Sequence, residues 1–273
     1  MNSAGTSTDD VEAAEPWLER LRSLNAVIAA TGQPLNGNLF YEHRQPDFAT
    51  SPPNAIHRVK RERIRQALRG RTRLLEVGVN GGHSAYLALT ANPELEFHGV
   101  DICASPYVRL AVAWLEAEFP GRVFLHAGDS LKVLPTLVRS GKRFDCFHID
   151  GAKHTYFHDI INCQAMVAGA EAVVIVDDTR RTDVNAIWRR CVRQGLIEVM
   201  SAFPAMPTSE KSRNEIGMLQ PAVPWKRRPL LLYADMLDRL HRARRIPGRT
   251  RSGLRKIFSV GSAARGRYPN VNA

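Results

Sequence analysis

Three short stretches concentrate the residues of this chain that are able to do chemistry. The first is Leu75-Glu76-Val77-Gly78-Val79-Asn80-Gly81-Gly82-His83, an apolar run that breaks into a G-x-x-G-G turn before helix-forming sequence. Such a turn lets a ligand approach bare backbone and the N–H groups of a helix N-terminus. Its spacing is not the G-x-G-x-x-G of dinucleotide enzymes, so a nicotinamide-dependent oxidoreductase is a weaker reading. The second stretch is FHIDGAKHTY, which carries Asp150, Lys153 and His154. The third is VIVDDT, with Asp177 and Asp178. Crowded carboxylates raise each other's pKa unless a cation intervenes. A hard divalent ion with oxygen ligands, such as Mg²⁺, resolves that conflict. The alternative is that Asp178 caps the helix after it and Asp177 contacts a cofactor.

Positioning these residues requires an alternating chain. Apolar runs predict strands at 73–78, 96–101, 122–126, 144–149, 172–176 and 196–200, and residues 215–219 suit a last, antiparallel strand. Helical stretches fall between them at 82–91, 106–119, 130–140, 156–168 and 182–194. The expected fold is α/β, a Rossmann-like, doubly wound, mostly parallel seven-stranded sheet with helices on both faces. Val173-Val174-Ile175-Val176 suits a strand buried on both sides. Ligands in open sheets of this kind bind beyond the carboxyl ends of the strands. Those ends present Glu76, then Asp101, then Asp129 and Ser130, then Asp150, then Asp177 and Asp178. Asp101 lies 25 residues after Glu76 and suits the two ribose hydroxyls of an adenosine. Asp129 and Ser130 are small polar residues suited to an adenine edge.

Outside that core the sequence divides into four segments. Residues 1–15 read as disordered. Residues 16–70 read as an N-terminal helical and lid segment, with a helix from Pro16 to near Gly32, a proline-rich stretch over 33–54 and a helix from about Ala55 to Leu68. Residues 71–221 form the catalytic domain, and 222–273 a basic tail that starts with a short amphipathic helix from Pro229. The net charge of +11 belongs to that tail: residues 226–273 hold 13 of the 38 Lys and Arg but only Asp235 and Asp238, leaving 25 of each sign elsewhere. A neutral body argues against a nucleic-acid platform. No apolar run approaches the ~20 residues of a membrane span. The acidic N-terminus lacks the pattern of a signal peptide. The four cysteines lack C-x-x-C spacing and read as reduced thiols, so the expected location is cytoplasmic.

The glycine turn, FPGRVFLHAGDS, HIDG and VIVDDT together resemble a bacterial group of class I S-adenosylmethionine (SAM) methyltransferases, methyltransferase domain family 24. DGAKHTY, followed by VDDT 27 residues after Asp150, also resembles the metal-dependent catechol and caffeoyl-coenzyme A O-methyltransferases. The resemblance covers roughly residues 70–200. It implies that Glu76, Gly78, Gly82 and Ser84 hold the methionine part of SAM, with Asn80 also binding the cofactor. Asp101 then takes the ribose, and Asp129 with Ser130 the adenine side. Asp150, Asp177 and Asp178 become metal ligands and Lys153 the general base. Asp178 stands where the catechol-type enzymes usually have Asn. The bacterial relatives often read D-G-x-H-x-Y, so His154 remains a second candidate base.

The expected activity is divalent-metal-assisted O-methylation of a small hydroxylated molecule. An alternative is a methyltransferase for RNA or another polyanion gripped by the Arg-rich tail, although no stacking aromatics interleave with those arginines. The tail also suits weak contact with an anionic membrane surface. Segments 33–54 and 201–214 are the candidates for acceptor specificity. His83 and His148 read as core or supporting histidines.

Overall fold

The structure, a computed structural model, describes residues 16–244 except 38 and 207–211. The expected disordered N-terminus and most of the Arg-rich tail lie outside the described residues. The chain divides into a unit spanning Met1–Leu231 and a second spanning Leu232–Ala273.

Alternation of strand and helix builds the first unit. Strands β1 (Arg73–Val77), β2 (Glu96–Asp101), β3 (Val123–Ala127), β4 (Cys146–Ile149), β5 (Ala172–Val176), β6 (Ile197–Val199) and β7 (Glu215–Leu219) form one sheet in the order β3-β2-β1-β4-β5-β7-β6. β3, β2, β1, β4 and β5 pair in parallel, while β7 runs antiparallel to both β5 and β6. Every residue of β5 is buried, as its unbroken apolar run requires when helices cover both faces. The connecting helices are α3 (His83–Ala91), α4 (Pro106–Glu118), α5 (Ser130–Arg139), α6 (Tyr156–Gln164) and α7 (Thr182–Arg193). α6 is shorter than the sequence pattern suggests, because Val167 leaves the helix to bridge Phe144 beside β4.

Strand register accounts for the neighbours in the site. Glu76 pairs with His148, which pairs with Ile175, and Ile149 pairs with Val176. The next residues, Asp150 and Asp177, therefore leave the sheet side by side. Residues two apart in a strand point to the same face, so Glu76, His148, Asp150 and Asp177 share one.

The N-terminal segment is part of this unit. Helix α1 (Pro16–Ala29) buries Leu18, Leu21, Leu24 and Ile28 at helical spacing and packs on α4. The described residues of 33–54 form no regular element, yet Leu35, Leu39, Phe40, Tyr41 and Phe48 are buried. Burying each such side chain is worth ~1.5–3 kcal/mol. The stretch, expected as an irregular segment or lid, is irregular and packs its apolar side chains as a wall. The helix expected from Ala55 begins as a 3₁₀ turn, Ala55–His57, capped by the Asn54 side chain on the Ile56 N–H, before α2 (Arg58–Leu68).

The last helix, α8 (Pro224–Arg244), starts five residues before the expected Pro229. Pro224 provides an earlier start with the φ that a first helical turn needs, and Pro229 is accommodated close behind it. Among the described residues, no helix is long and apolar enough to cross a membrane. Cys146, Cys163 and Cys191 are buried free thiols and Cys103 is a half-buried one.

Candidate active site

A cavity of about 650 Å³ opens at the carboxyl ends of β1, β4 and β5. One side is the glycine turn, through Gly78, Asn80 and Ser84, together with Asp101. Opposite are Asp150, Lys153, Asp177 and Asp178, and the N-terminal wall contributes Asn36, Leu39 and Tyr41.

The glycine turn is held tightly. Gly78 has φ +92°, and a Cβ there would lie 2.5 Å from the Asp150 carbonyl oxygen. Glycine is thus demanded by the passing backbone of the β4 end as well as by any ligand. Gly82 (φ +73°) caps α3, where a Cβ would meet Leu115 at 2.8 Å. Asp101 Oδ2 accepts from the Val79 N–H (2.9 Å) and the Asn80 N–H (3.0 Å), and Oδ1 accepts from the Cys103 N–H (2.7 Å). Its carboxylate therefore braces the turn while facing the cavity. Asn80 donates to the Gly37 carbonyl (2.8 Å) and accepts from the Tyr107 hydroxyl (2.7 Å), which ties the turn to the N-terminal wall.

The acid cluster is interleaved with two lysines. Lys153 Nζ donates to Asp150 Oδ1 (2.9 Å), Asp178 Oδ2 (2.8 Å) and the Tyr156 hydroxyl (2.7 Å). Lys60 Nζ, from α2, lies 2.7 Å from Asp177 Oδ2 and donates to Ser212 Oγ at 2.7 Å. Ser212 Oγ in turn donates to Asp177 Oδ1 (3.3 Å) and Asp178 Oδ1 (3.2 Å). Behind them His148 Nδ1 lies 2.6 Å from Glu76 Oε1. Its Nε2 has no hydrogen-bond partner and stands 4.0 Å from Asp177 Oδ2.

These contacts set the protonation states. Burial and the nearby Asp177 carboxylate push Asp150 up to about 6, against the pull of Lys153 and His148. Burial would raise Asp177 too, but Lys60 and His148 outweigh it and hold it at about 2. Burial lowers the Lys153 ammonium, and the Asp150 and Asp178 carboxylates more than reverse that, holding it above the ordinary lysine value. Lys60 is raised by the same balance, with Asp177 as its main partner. Without a bound cation both lysines are therefore held as ammonium ions. Burial pulls His148 down, and Glu76, Asp150 and Asp177 together more than reverse it.

The expected site residues divide into two groups. Gly78, Asn80, Ser84, Asp101, Asp150, Lys153, Asp177 and Asp178 line the cavity. Glu76, Gly82, Asp129, Ser130 and His154 are not in its lining. Glu76 is fully buried and turned to His148. Asp129 caps α5 by accepting the Leu131 N–H at 2.9 Å.

The tertiary structure adds Lys60, His148 and Ser212. Lys60 sits at helical spacing from the buried Ile64, Ala67 and Leu68, so a lysine within an apolar stripe was the available signal. For His148 the signal was its place in a buried strand beside another carrying Glu76. Ser212 left no pattern. His148, Asp150 and Asp177 each offer one donor atom within 4.8 Å of the others. This N, O, O donor set, with one imidazole nitrogen lacking a partner, fits a divalent ion.

The comparisons agree with this geometry. Residues 75–179, from β1 to just past β5, match the sequence profile of a methyltransferase-domain family. No curated protein sequence matches the chain significantly. Among solved structures, the chain is similar to the O-methyltransferase TomG from Streptomyces achromogenes, involved in tomaymycin synthesis and bound to SAM. The identity is 19%, over 75% of this chain and 90% of that one, with a TM-score of 0.51. It is similar to an O-methyltransferase from Bacillus cereus in complex with S-adenosylhomocysteine (SAH), at 14% identity over 74% of this chain and 90% of that one, with a TM-score of 0.56. It is also similar to cofactor-bound Rv0187 from MTB, at 19% identity over 80% and 98% of the two chains, with a TM-score of 0.53. At such identities these likenesses establish the fold, and the profile match covers the segment that carries the glycine turn and all three aspartates of the cluster. Residues 75–179 thus carry a methyltransferase domain, set in the fold shared with these solved structures.

Proposed function

We propose that the protein transfers the methyl group of SAM to a hydroxyl of a small molecule held in the cavity, assisted by a divalent cation at the ends of β4 and β5. The observation that carries this reading is that the glycine turn with Asp101 and the acid cluster with its lysines open onto the same cavity. Its volume of about 650 Å³ lies within the ~300–1,000 Å³ of small-molecule sites, which favours a small acceptor over a polymer.

In this reading Gly78, Asn80 and Ser84 receive the methionine part, Asp101 the ribose, and the α5 start at Asp129 and Ser130 the adenine side. SAM supplies an activated methyl group, and a divalent ion would lower the pKa of the acceptor hydroxyl. Asp150, Asp177 and Asp178 set where that hydroxyl sits relative to the turn, so the protein's contribution is mainly positioning. Lys153 lines the cavity and His154 does not, which favours Lys153 Nζ as the proton acceptor. Asp150 and Asp178 hold Lys153 protonated, so this role requires their charge to be taken up elsewhere, as a cation on those carboxylates does.

The test is calorimetric titration of SAH with and without divalent ion, followed by a mass-spectrometric screen of hydroxylated acceptors. One SAH per chain, and a methylated product lost in EDTA and in Asp150→Ala, are the expected results. Absence of SAH binding in both conditions overturns the methyltransferase reading; product formation unaffected by EDTA overturns only the metal assistance.

A further inference from the structure

The Glu76–His148 pair is not explained by methyl transfer. Glu76 is fully buried in β1 and His148 is 2% exposed in β4, so the pair is sealed inside the sheet. His148 Nδ1 donates to Glu76 Oε1 at 2.6 Å, which leaves Nε2 as the nitrogen that faces the cavity. That nitrogen has no hydrogen-bond partner. A buried nitrogen without a partner is costly, and such atoms call for an account.

The chain's own cations do not supply one. Lys60 is engaged with Asp177 and Ser212, and Lys153 with Asp150, Asp178 and Tyr156. The 4.0 Å between His148 Nε2 and Asp177 Oδ2 is too long for a hydrogen bond. It leaves the two groups in one small volume, where Asp150 offers a third donor atom within 4.8 Å of both. The charges point the same way. Glu76, Asp150, Asp177 and Asp178 face the Lys60 and Lys153 ammonium groups in this cluster, so the carboxylates outnumber those cations by two. A dication balances that remainder. A metal-ligating histidine characteristically donates its other ring N–H to a carboxylate, which fixes the ring and raises its basicity.

We infer that His148 is a ligand of the divalent ion, with Glu76 as its positioning residue, and that the site prefers a first-row transition ion, Mn²⁺, Fe²⁺, Co²⁺ or Zn²⁺, to Mg²⁺. An imidazole nitrogen suits first-row transition ions such as Fe²⁺ and Zn²⁺, and a mixed nitrogen and oxygen set follows the rising affinity from Mn²⁺ onward, whereas an all-oxygen set suits Mg²⁺. This extends the ligand set expected from the sequence: His148 joins Asp150, Asp177 and Asp178. The inference rests on the cation part of the proposed function and not on methyl transfer.

The experiment uses the full chain, stripped with EDTA and titrated with Mn²⁺ by electron paramagnetic resonance, with SAH calorimetry on the same samples. One Mn²⁺ per chain is expected, with ¹⁴N coupling in the pulsed spectrum and at least tenfold weaker competition by Mg²⁺. His148→Ala should remove the ¹⁴N coupling. Glu76→Gln should weaken Mn²⁺ binding by about 10–100-fold. No Mn²⁺ bound at millimolar concentration, bound Mn²⁺ without ¹⁴N coupling, or equal affinity for Mg²⁺ overturns the inference. If SAH still binds in that case, the methyltransferase reading stands without it. Mn²⁺ binding with ¹⁴N coupling in a chain that does not bind SAH separates the two in the other direction. Should His148→Ala fail to fold, the wild-type spectrum and Glu76→Gln decide.

Discussion

Two residues of the site hold backbone conformations that their side chains must permit. Gly78 combines a positive φ with a Cβ position inside hydrogen-bonding distance of the Asp150 carbonyl oxygen. Overpacking of this kind typically costs ~1–3 kcal/mol, and the left-handed backbone adds ~1–2 for a residue with a Cβ. Gly78→Ala should therefore lower unfolding stability by about 3 kcal/mol and weaken SAH binding at least tenfold, measured by urea denaturation and calorimetry. Asp178 has φ +57°, a conformation that Asp and Asn tolerate better than most residues. That makes the Asp in place of the catechol-type Asn compatible with the turn, and Asp178→Asn should fold normally. Lys60 shows the energetics of a buried pair. Its side chain is 4% exposed and that of Asp177 is 3% exposed, so removing the ammonium strands a buried carboxylate. Lys60→Met should cost about 3–5 kcal/mol in EDTA, read from denaturant midpoints.

Helix α2 binds three walls of the site through three buried cations. Lys60 reaches the β5 end, and Arg61 donates to the carbonyls of Leu39 (3.1 Å) and Asn54 (3.0 Å) in the N-terminal wall. Arg63 donates to Asn214 Oδ1 (3.0 Å) and to the carbonyls of Asn214 (3.2 Å) and Pro204 (2.5 Å) at the edge before β7. Arg63→Met leaves those acceptors without their donor. A stability loss of about 2 kcal/mol is expected, with faster amide exchange at residues 212–214 by mass spectrometry. Helix α6 carries a second buried acid. Burial pushes Asp159 up to about 7, partly offset by hydrogen bonds from Thr155 and Ser130. A carboxyl raised in the folded state binds more protons there than in the unfolded chain. Its contribution to stability therefore falls as pH rises from about 4 to about 7. Relative to Asp159→Asn, the native chain should lose a few kcal/mol across that window, seen by comparing urea midpoints of the two proteins at pH 4, 5.5 and 7.5. Other titrating groups are common to both proteins and drop out of the difference.

At the scale of the whole molecule, charge and chemistry are separated along the chain. Residues 1–225 are electrically balanced and contain the cavity, whereas 226–273 carry the entire +11. Binding to anionic polymers is governed by counterion release and falls steeply with salt. Heparin or RNA binding by the full chain should therefore be salt-sensitive and should weaken sharply when residues 245–273, which carry +7 of the +11, are removed, while SAH affinity is unchanged. Loss of SAH affinity on that truncation would instead make the tail part of the cofactor site.

Much of this architecture is written in local pattern. Buried-strand runs such as Val173–Val176, glycine at the β1 turn, and acids at successive strand ends are legible because each obeys a local constraint of period, backbone freedom or solvation. From them follow the doubly wound sheet, the antiparallel last strand and the cavity residues Gly78, Asp101, Asp150, Asp177 and Asp178. The rest depended on contacts between distant segments. Lys60 meets Asp177 across more than a hundred residues, Glu76 meets His148 only because β1 and β4 pair in one register, and residues 33–54 became a wall because α1 and α4 accept their side chains. A sequence pattern records which face a residue occupies; what it faces is decided by packing, where one partner's burial determines whether a charged or polar group is paired, stranded or available to a ligand.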